Sequence, residues 1–263
     1  MKLLISTNKP DLDYLYEKIK DVGPKVEIII ISQYSNERSQ HGRLCELENV
    51  KIIDSNTFGL SKSRNIAIKY CKNDICLFGD DDAEYIEGFD QQIEAAFMQN
   101  PKASIITFQI RTPDGVFFKK YKSVQFKHTL LSILKVSSIE LAFNGLAVRE
   151  SKILFDERFG LGSKYEAGEE VIFLSDCIKK GLKAIYCPKS IVIHKYESSG
   201  KSVNDRQYSF VRGAMFYRIY GLKGLVLLLF MGFRKKIAHR DKIGLRQFLI
   251  SGIKGYKSIK RDS

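Results

Sequence analysis

The 263-residue chain has little that could cross-link or punctuate it. Its five cysteines (Cys45, Cys71, Cys76, Cys177 and Cys187) are odd in number, form no CxxC pair and have no histidine at zinc-finger spacing. A disulfide framework and a zinc module therefore have no basis, and each thiol reads as a small buried hydrophobe. Five prolines and nineteen glycines, without biased runs, exclude collagen-like and low-complexity chains. No segment repeats at a fixed period. The stretch Met1–Pro10 holds only Leu3-Leu4-Ile5 as an apolar run, short of a secretory h-region. The expectation is a cytosolic chain with reduced thiols.

What is present is 44% apolar and 28% charged residues, enough for one large domain or two small ones with real cores. The net charge of +13 is unevenly spread. Residues 201–263 carry fifteen Lys and Arg against three acids, so the first 200 residues are almost neutral. A neutral body, residues 1–200, thus bears a basic C-terminal region, residues 201–263.

The body alternates strands and helices. Lys2–Ser6 and Val26–Ser32 read as strands around a helix from Leu12 to Val22. Val50–Ile53, Ile75–Phe78 and Ala103–Ile110 read as further strands, with helices at Ser61–Cys71 and Glu87–Met98 between them. Thr112-Pro113-Asp114-Gly115 predicts a hairpin turn. A helix over Glu169–Lys180 ends at Gly181 and precedes two strand-like pieces, Lys183–Tyr186 and Ile191–His194. The pattern predicts an α/β fold with a mixed, mostly parallel sheet flanked by helices, and ligands beyond the carboxyl ends of its strands.

Three acids, Asp80, Asp81 and Asp82, stand at such an end. Adjacent carboxylates repel unless a cation relieves them, and hard oxygen ligands suit Mg²⁺ or Mn²⁺. Strand alternation sends Asp80 and Asp82 to one side and Asp81 away. His194 also closes an apolar strand and can complete the site, with Lys195 or Lys201 near an anion. Upstream, Gly59-Leu-Ser-Lys-Ser-Arg64-Asn65 opens a helix with Ser61 as its N-cap, a segment suited to an anion or nucleobase but no more than a cap on its own. In the helix beginning at Gly168-Glu169-Glu170, the stripe of Val171, Leu174, Cys177 and Ile178 lies nearer Glu170 than Glu169. Glu170 is expected to face the protein, equally as a cap or as a cleft base, and Glu169 to face solvent.

These pieces in order, together with Phe155-Asp-Glu-Arg-Phe-Gly160, resemble a family 2 glycosyltransferase of GT-A fold over about residues 1–200, within the branch that builds bacterial capsular and other surface polysaccharides. The resemblance implies an inverting, metal-dependent transfer of a sugar, a hexose, from a UDP-sugar to a hydroxyl of a lipid-linked or oligosaccharide acceptor. It implies Mn²⁺ or Mg²⁺ at Asp80 and Asp82, with His194 as a metal or diphosphate ligand. It implies nucleotide contacts from Ser6, Asn8, Arg64, Asp80, Asp81, Lys195 and Lys201, and a base at Glu170 within the pair Glu169-Glu170. The chain departs from the family where Glu170 replaces the usual Asp, and where Ile31-Ser32-Gln33-Tyr34-Ser35 lacks the usual nucleobase acid. Sugar discrimination is expected from loops in Ser137–Arg149 and Gly160–Gly168.

The basic region has an uncharged run of ten residues, Gly224–Phe233, shorter than the roughly twenty a membrane-spanning helix needs. Leu245, Phe248, Leu249, Ile253 and Tyr256 share one helical face, opposite Arg246, Lys254, Lys257 and Arg261. Residues 209–261 are therefore expected to bind an anionic membrane surface peripherally, on the cytoplasmic side. Three other readings compete: a metal-dependent nucleotidyltransferase, a nucleic-acid-binding nuclease and a noncatalytic lipid-surface adaptor. No nucleic-acid motif accompanies the bases, so no nucleic-acid partner is expected.

Overall fold

The computed structural model describes residues 1–9, 13–33, 41–195, 205–237 and 244–262. The strands are β1 (Lys2–Thr7), β2 (Glu27–Ser32), β3 (Val50–Asp54), β4 (Ile75–Asp80), β5 (Glu84–Tyr85), β6 (Ile105–Arg111), β7 (Phe126–Lys127), β8 (Leu141–Asn144) and β9 (Ala184–Ile193). The helices are α1 (Asp13–Ile19), α2 (Leu60–Ile68), α3 (Phe89–Gln99), α4 (Gly145–Ser151), α5 (Glu169–Lys179), α6 (Asp205–Tyr220), α7 (Gly224–Ile237) and α8 (Leu245–Arg261). All nine strands join one sheet in the order β3-β2-β1-β4-β8-β6-β9-β5, with β7 on β9. The β3-β2-β1-β4 half is parallel, and β8 enters antiparallel between β4 and β6.

Strand alternation divides the apolar residues between two cores. Leu4, Ile29, Ile31 and Phe78 point into one, with α2, α5, α6 and α8; Leu3, Ile5, Ile28, Ile30 and Leu77 point into the other, with α1 and α3. Both faces are covered, which is why the central strands read as unbroken Ile and Leu runs.

The structure corrects several sequence expectations. The two pieces before His194 are one strand, β9, carried past Pro188 by register shifts against β6. The loss of a ladder donor at proline is absorbed at that irregularity. The turn at 112–115 is present, with Thr112 N donating to Val116 O, yet its hairpin is only one bridge between Arg111 and Phe117. Ser61 is not the N-cap of α2. The helix starts after Gly59 (φ 128°), and the Ser61 hydroxyl donates to the Phe159 carbonyl instead.

The basic region is built into the fold. Val211, Ala214, Met215 and Phe216 of α6 and Phe248 and Ile259 of α8 are buried in the same core as α5. Arg218 of α6 grips Asp176 of α5 with two bonds, at 3.1 and 2.7 Å, and reaches Asp156 at 2.8 Å. Where α6 crosses α8, a Cβ on Gly213 would lie 1.8 Å from the Gly252 carbonyl, so glycine permits this approach. The apolar face of α8 is consequently spent on packing: Phe248, Gly252, Gly255, Tyr256 and Ile259 are buried. The expectation that this face meets lipid is overturned.

By length and composition the helical stretch Asp205–Ile237 is apolar enough to cross a membrane. It is nonetheless folded back on itself at Gly221–Lys223, so that Lys235 pairs with Asp205 at 3.0 Å. Its second arm, α7, has fourteen residues, or about 21 Å at 1.5 Å per residue, against a hydrocarbon core of about 30 Å.

Candidate active site

A cavity of about 690 Å³ opens beyond the carboxyl ends of β1, β2 and β4. Its lining brings together Ser6, Asn8, Arg64, the three aspartates, Glu169, Glu170 and His194. Ser6, Asn8 and the aspartates arrive on strand ends, Arg64 from the first turns of α2, the glutamates from the start of α5 and His194 from the end of β9. Lys195 is exposed and outside the lining, and Lys201 lies outside the described residues. Both loops expected to read the sugar contribute, through Ser137, Ser138 and Ile139 and through Leu161, Gly162 and Gly168.

Asp80, Asp82 and His194 each offer a ligand atom, all within 4.8 Å of one another. The His194 Nδ1–H donates to the Lys195 carbonyl at 2.8 Å, because a carbonyl can only accept. Nε2, 3.0 Å from Asp82 Oδ1, then either carries a proton or presents its lone pair to a cation. Two hard oxygens and an imidazole held by a backbone acceptor are a donor set that fits Mn²⁺ or Mg²⁺. The hydrogen bond from His194 holds the Asp82 carboxyl below its usual range. Burial pushes Asp80 up, against the opposing charge of Arg64. Asp81, in the turn after β4 rather than on the strand, also lines the cavity and accepts from Thr7 Oγ1 at 2.6 Å.

Arg64 is only 2% exposed. It lies 5.6 Å from the ring centres of both Phe78 and Phe155 and donates to Glu169 Oε1 at 2.8 Å and Asp80 Oδ1 at 3.3 Å. This pairing reverses the expectation for α5: Glu169 is buried at 6% exposure rather than facing solvent. Extrapolating the apolar stripe fails at the first helical residue because a buried guanidinium offsets the cost of burying that carboxylate. Glu170 does face the cavity, partly buried and in no ion pair among the described residues. Burial, together with the neighbouring charge of Glu169, pushes its carboxyl up to about 8.

Some contributions carry no signal of their role in the sequence. Gln33 accepts the Gly59 N–H at 2.7 Å, and the Asn65 amide brackets Phe155, donating to its carbonyl at 3.1 Å and accepting its N–H at 2.8 Å. Phe118 lines the cavity with its ring edge-on to His194, centres 6.0 Å apart.

A search of curated proteins finds no match to this sequence. Among solved structures, the fold is similar to TarS of S. aureus. The complex of TarS 1–349 with UDP-GlcNAc superposes with a TM-score of 0.66 at 15% identity, covering 97% of this chain and 81% of that one. The complex of TarS 1–349 with UDP gives 0.62 at 13% identity, covering 99% and 90%. The family described as glycosyl transferase family 2 matches residues 5–154, a segment that contains Arg64 and the three aspartates and ends before the glutamates. The chain, a GT-A fold with these carboxylates at its strand ends, belongs to glycosyl transferase family 2.

Proposed function

We propose that the protein is an inverting glycosyltransferase that moves a hexosyl group from a UDP-sugar to a hydroxyl of a lipid-linked or oligosaccharide acceptor in bacterial surface polysaccharide synthesis. The observation that carries this reading is the convergence of Asp80, Asp82, His194 and Glu170 on one cavity. The bound UDP-GlcNAc and UDP of the TarS structures support a uridine nucleotide donor. Family membership counts against the nucleotidyltransferase, nuclease and adaptor readings.

Asp80, Asp82 and His194 would hold a divalent cation, which would supply charge neutralisation for the departing diphosphate. Glu169 is committed to Arg64, so Glu170 is the carboxylate free to act as base. Its raised proton affinity suits that role near neutral pH. Glu170 takes the acceptor hydroxyl proton as that oxygen bonds to the anomeric carbon. The bond from that carbon to the diphosphate breaks, its electron pair leaves with the nucleoside diphosphate, and one displacement inverts the centre. Ser6 and Asn8 border the space for the nucleotide, while Arg64 holds Asp80 and Glu169 in register.

The acceptor side is read as a membrane. Val226, Leu229, Phe230, Phe233 and Ile237 of α7, with Leu222 before them, are 43–78% exposed and recur at helical spacing. Arg234 and Lys236 border this stripe, and the region's excess of bases favours anionic lipid. The protein would then sit peripherally on the cytoplasmic face. Glu170→Gln tests the catalytic reading: transfer is expected to be lost while donor binding, measured by calorimetry, persists. Full transfer by that variant would remove Glu170 from the base role.

A further inference from the structure

A second hollow, of about 470 Å³, takes Lys164 from the loop that also lines the active-site cavity. It is lined by Lys164, Lys254, Lys257, Ser258, Arg261 and Asp262. Positions 254, 257, 258 and 261 recur at the three- and four-residue spacing of one helical face, so α8 presents these bases together. The loop brings Lys164 to them, and this residue stands between Gly162 and Glu166, both of which line the catalytic cavity. The two hollows therefore share one stretch of chain.

The single acid among the described lining residues is already engaged. Asp262 accepts from Lys164 Nζ at 2.6 Å and from the Tyr165 hydroxyl at 3.1 Å, and its carbonyl accepts from Arg158 at 3.1 Å. The Tyr165 hydroxyl is also hydrogen-bonded to the Ser258 hydroxyl at 2.9 Å, where Ser258 can donate. These bonds clamp α8 to the loop. Among the described residues, Lys254, Lys257 and Arg261 have no ion-pair partner. Three uncompensated cations around a concave surface, one of them a guanidinium fork, match an anion with several oxygens.

We propose that Lys164, Lys254, Lys257 and Arg261 form a binding site for a phosphate-bearing group, separate from the donor site and adjoining it across the 158–168 loop. That phosphate belongs either to the acceptor, as a diphosphate or phosphodiester, or to the headgroup of an anionic lipid. Assigning it to the acceptor rests on the glycosyl-transfer reading, whereas the anion site does not.

The test uses the full chain, the variant Lys254→Gln/Lys257→Gln/Arg261→Gln, and its charge-keeping counterpart Lys254→Arg/Lys257→Arg. With chelator present to silence the cation site, calorimetry with inorganic pyrophosphate is expected to show at least tenfold weaker binding in the Gln variant and retention in the Arg variant. Equal pyrophosphate affinity in wild type and Gln variant overturns the proposal. UDP binding with Mn²⁺ reads the donor site separately, so its absence in wild type counts against the catalytic reading and not against this one. Sedimentation with phosphatidylcholine vesicles containing phosphatidylglycerol then identifies the source. If the Gln variant loses pyrophosphate and vesicles together, the site takes a lipid headgroup; if it loses pyrophosphate alone, the phosphate is the acceptor's.

Discussion

Arg64 and Glu169, 105 residues apart in sequence, meet at 2.8 Å in a buried ion pair, and the same guanidinium reaches Asp80 at 3.3 Å. One side chain thus ties α5, which carries the proposed base Glu170, to the end of β4, which carries the proposed cation ligand Asp80. Arg64→Met would leave Glu169 buried without a partner, a loss of about 3–5 kcal/mol. Urea unfolding measures it. Adding Glu169→Gln to Arg64→Met is expected to restore part of the loss, because the stranded charge is gone; a strictly additive pair would show that the contact carries no coupling.

The elevated proton affinity of Glu170 has a sign in activity and in stability. As the proposed base it must be ionised, so kcat/KM is expected to climb with pH up to about 8, which a rate profile checks. Between the ordinary carboxyl value of 4.5 and about 8, the folded protein holds the proton that the unfolded chain has released. Folding stability contributed by the neutral form is therefore full below about 4.5 and is lost as pH rises through about 8. Glu170→Gln, always neutral, should match wild type in melting temperature near pH 4 and exceed it increasingly towards pH 8.

At the cation site, Asp82→Ala and His194→Ala are each expected to weaken Mn²⁺ binding at least tenfold, equivalent to about 1.4 kcal/mol. Calorimetry with Mn²⁺ alone reads this directly. Unchanged affinity in either variant would take that residue out of the ligand set. A chelator should also reduce UDP binding by wild type.

Gly168 precedes α5 with φ of +90°, and a Cβ there would lie 2.9 Å from Met215 Sδ of α6. Gly168→Ala combines backbone strain with that contact, for a cost of about 1–3 kcal/mol. It would also displace the first turn that presents Glu170, so kcat should fall more than donor affinity. Adding Met215→Ala relieves the contact and leaves the strain, so recovery in thermal melts should be partial.

For the membrane reading, Phe230→Glu/Phe233→Glu puts two charges into the exposed stripe of α7. Binding to anionic vesicles is expected to drop at least tenfold while UDP affinity holds, since neither residue borders the catalytic cavity. Undiminished vesicle binding would move the lipid contact elsewhere.

How far the sequence reaches depends on whether a property is local. Alternating apolar strands, the aspartates at the end of β4 and the basic bias of the last 63 residues are carried by neighbours in the chain, and each was legible there. Asp80 and Asp82 do lie together, but through the turn that follows β4 rather than by strand alternation, since the strand ends at Asp80. Which glutamate is buried was not legible, because Glu169 is solvated or sequestered according to whether Arg64 arrives beside it from another helix. The same holds for α8, whose amphipathic pattern predicts an apolar face but cannot say what covers it. Close glycine contacts with α6 covered it with protein, which left α7 holding the exposed stripe. Local periodicity determined the elements and the residue types at their ends; long-range pairing decided their partners, since burial free energy depends on what else reaches the same place.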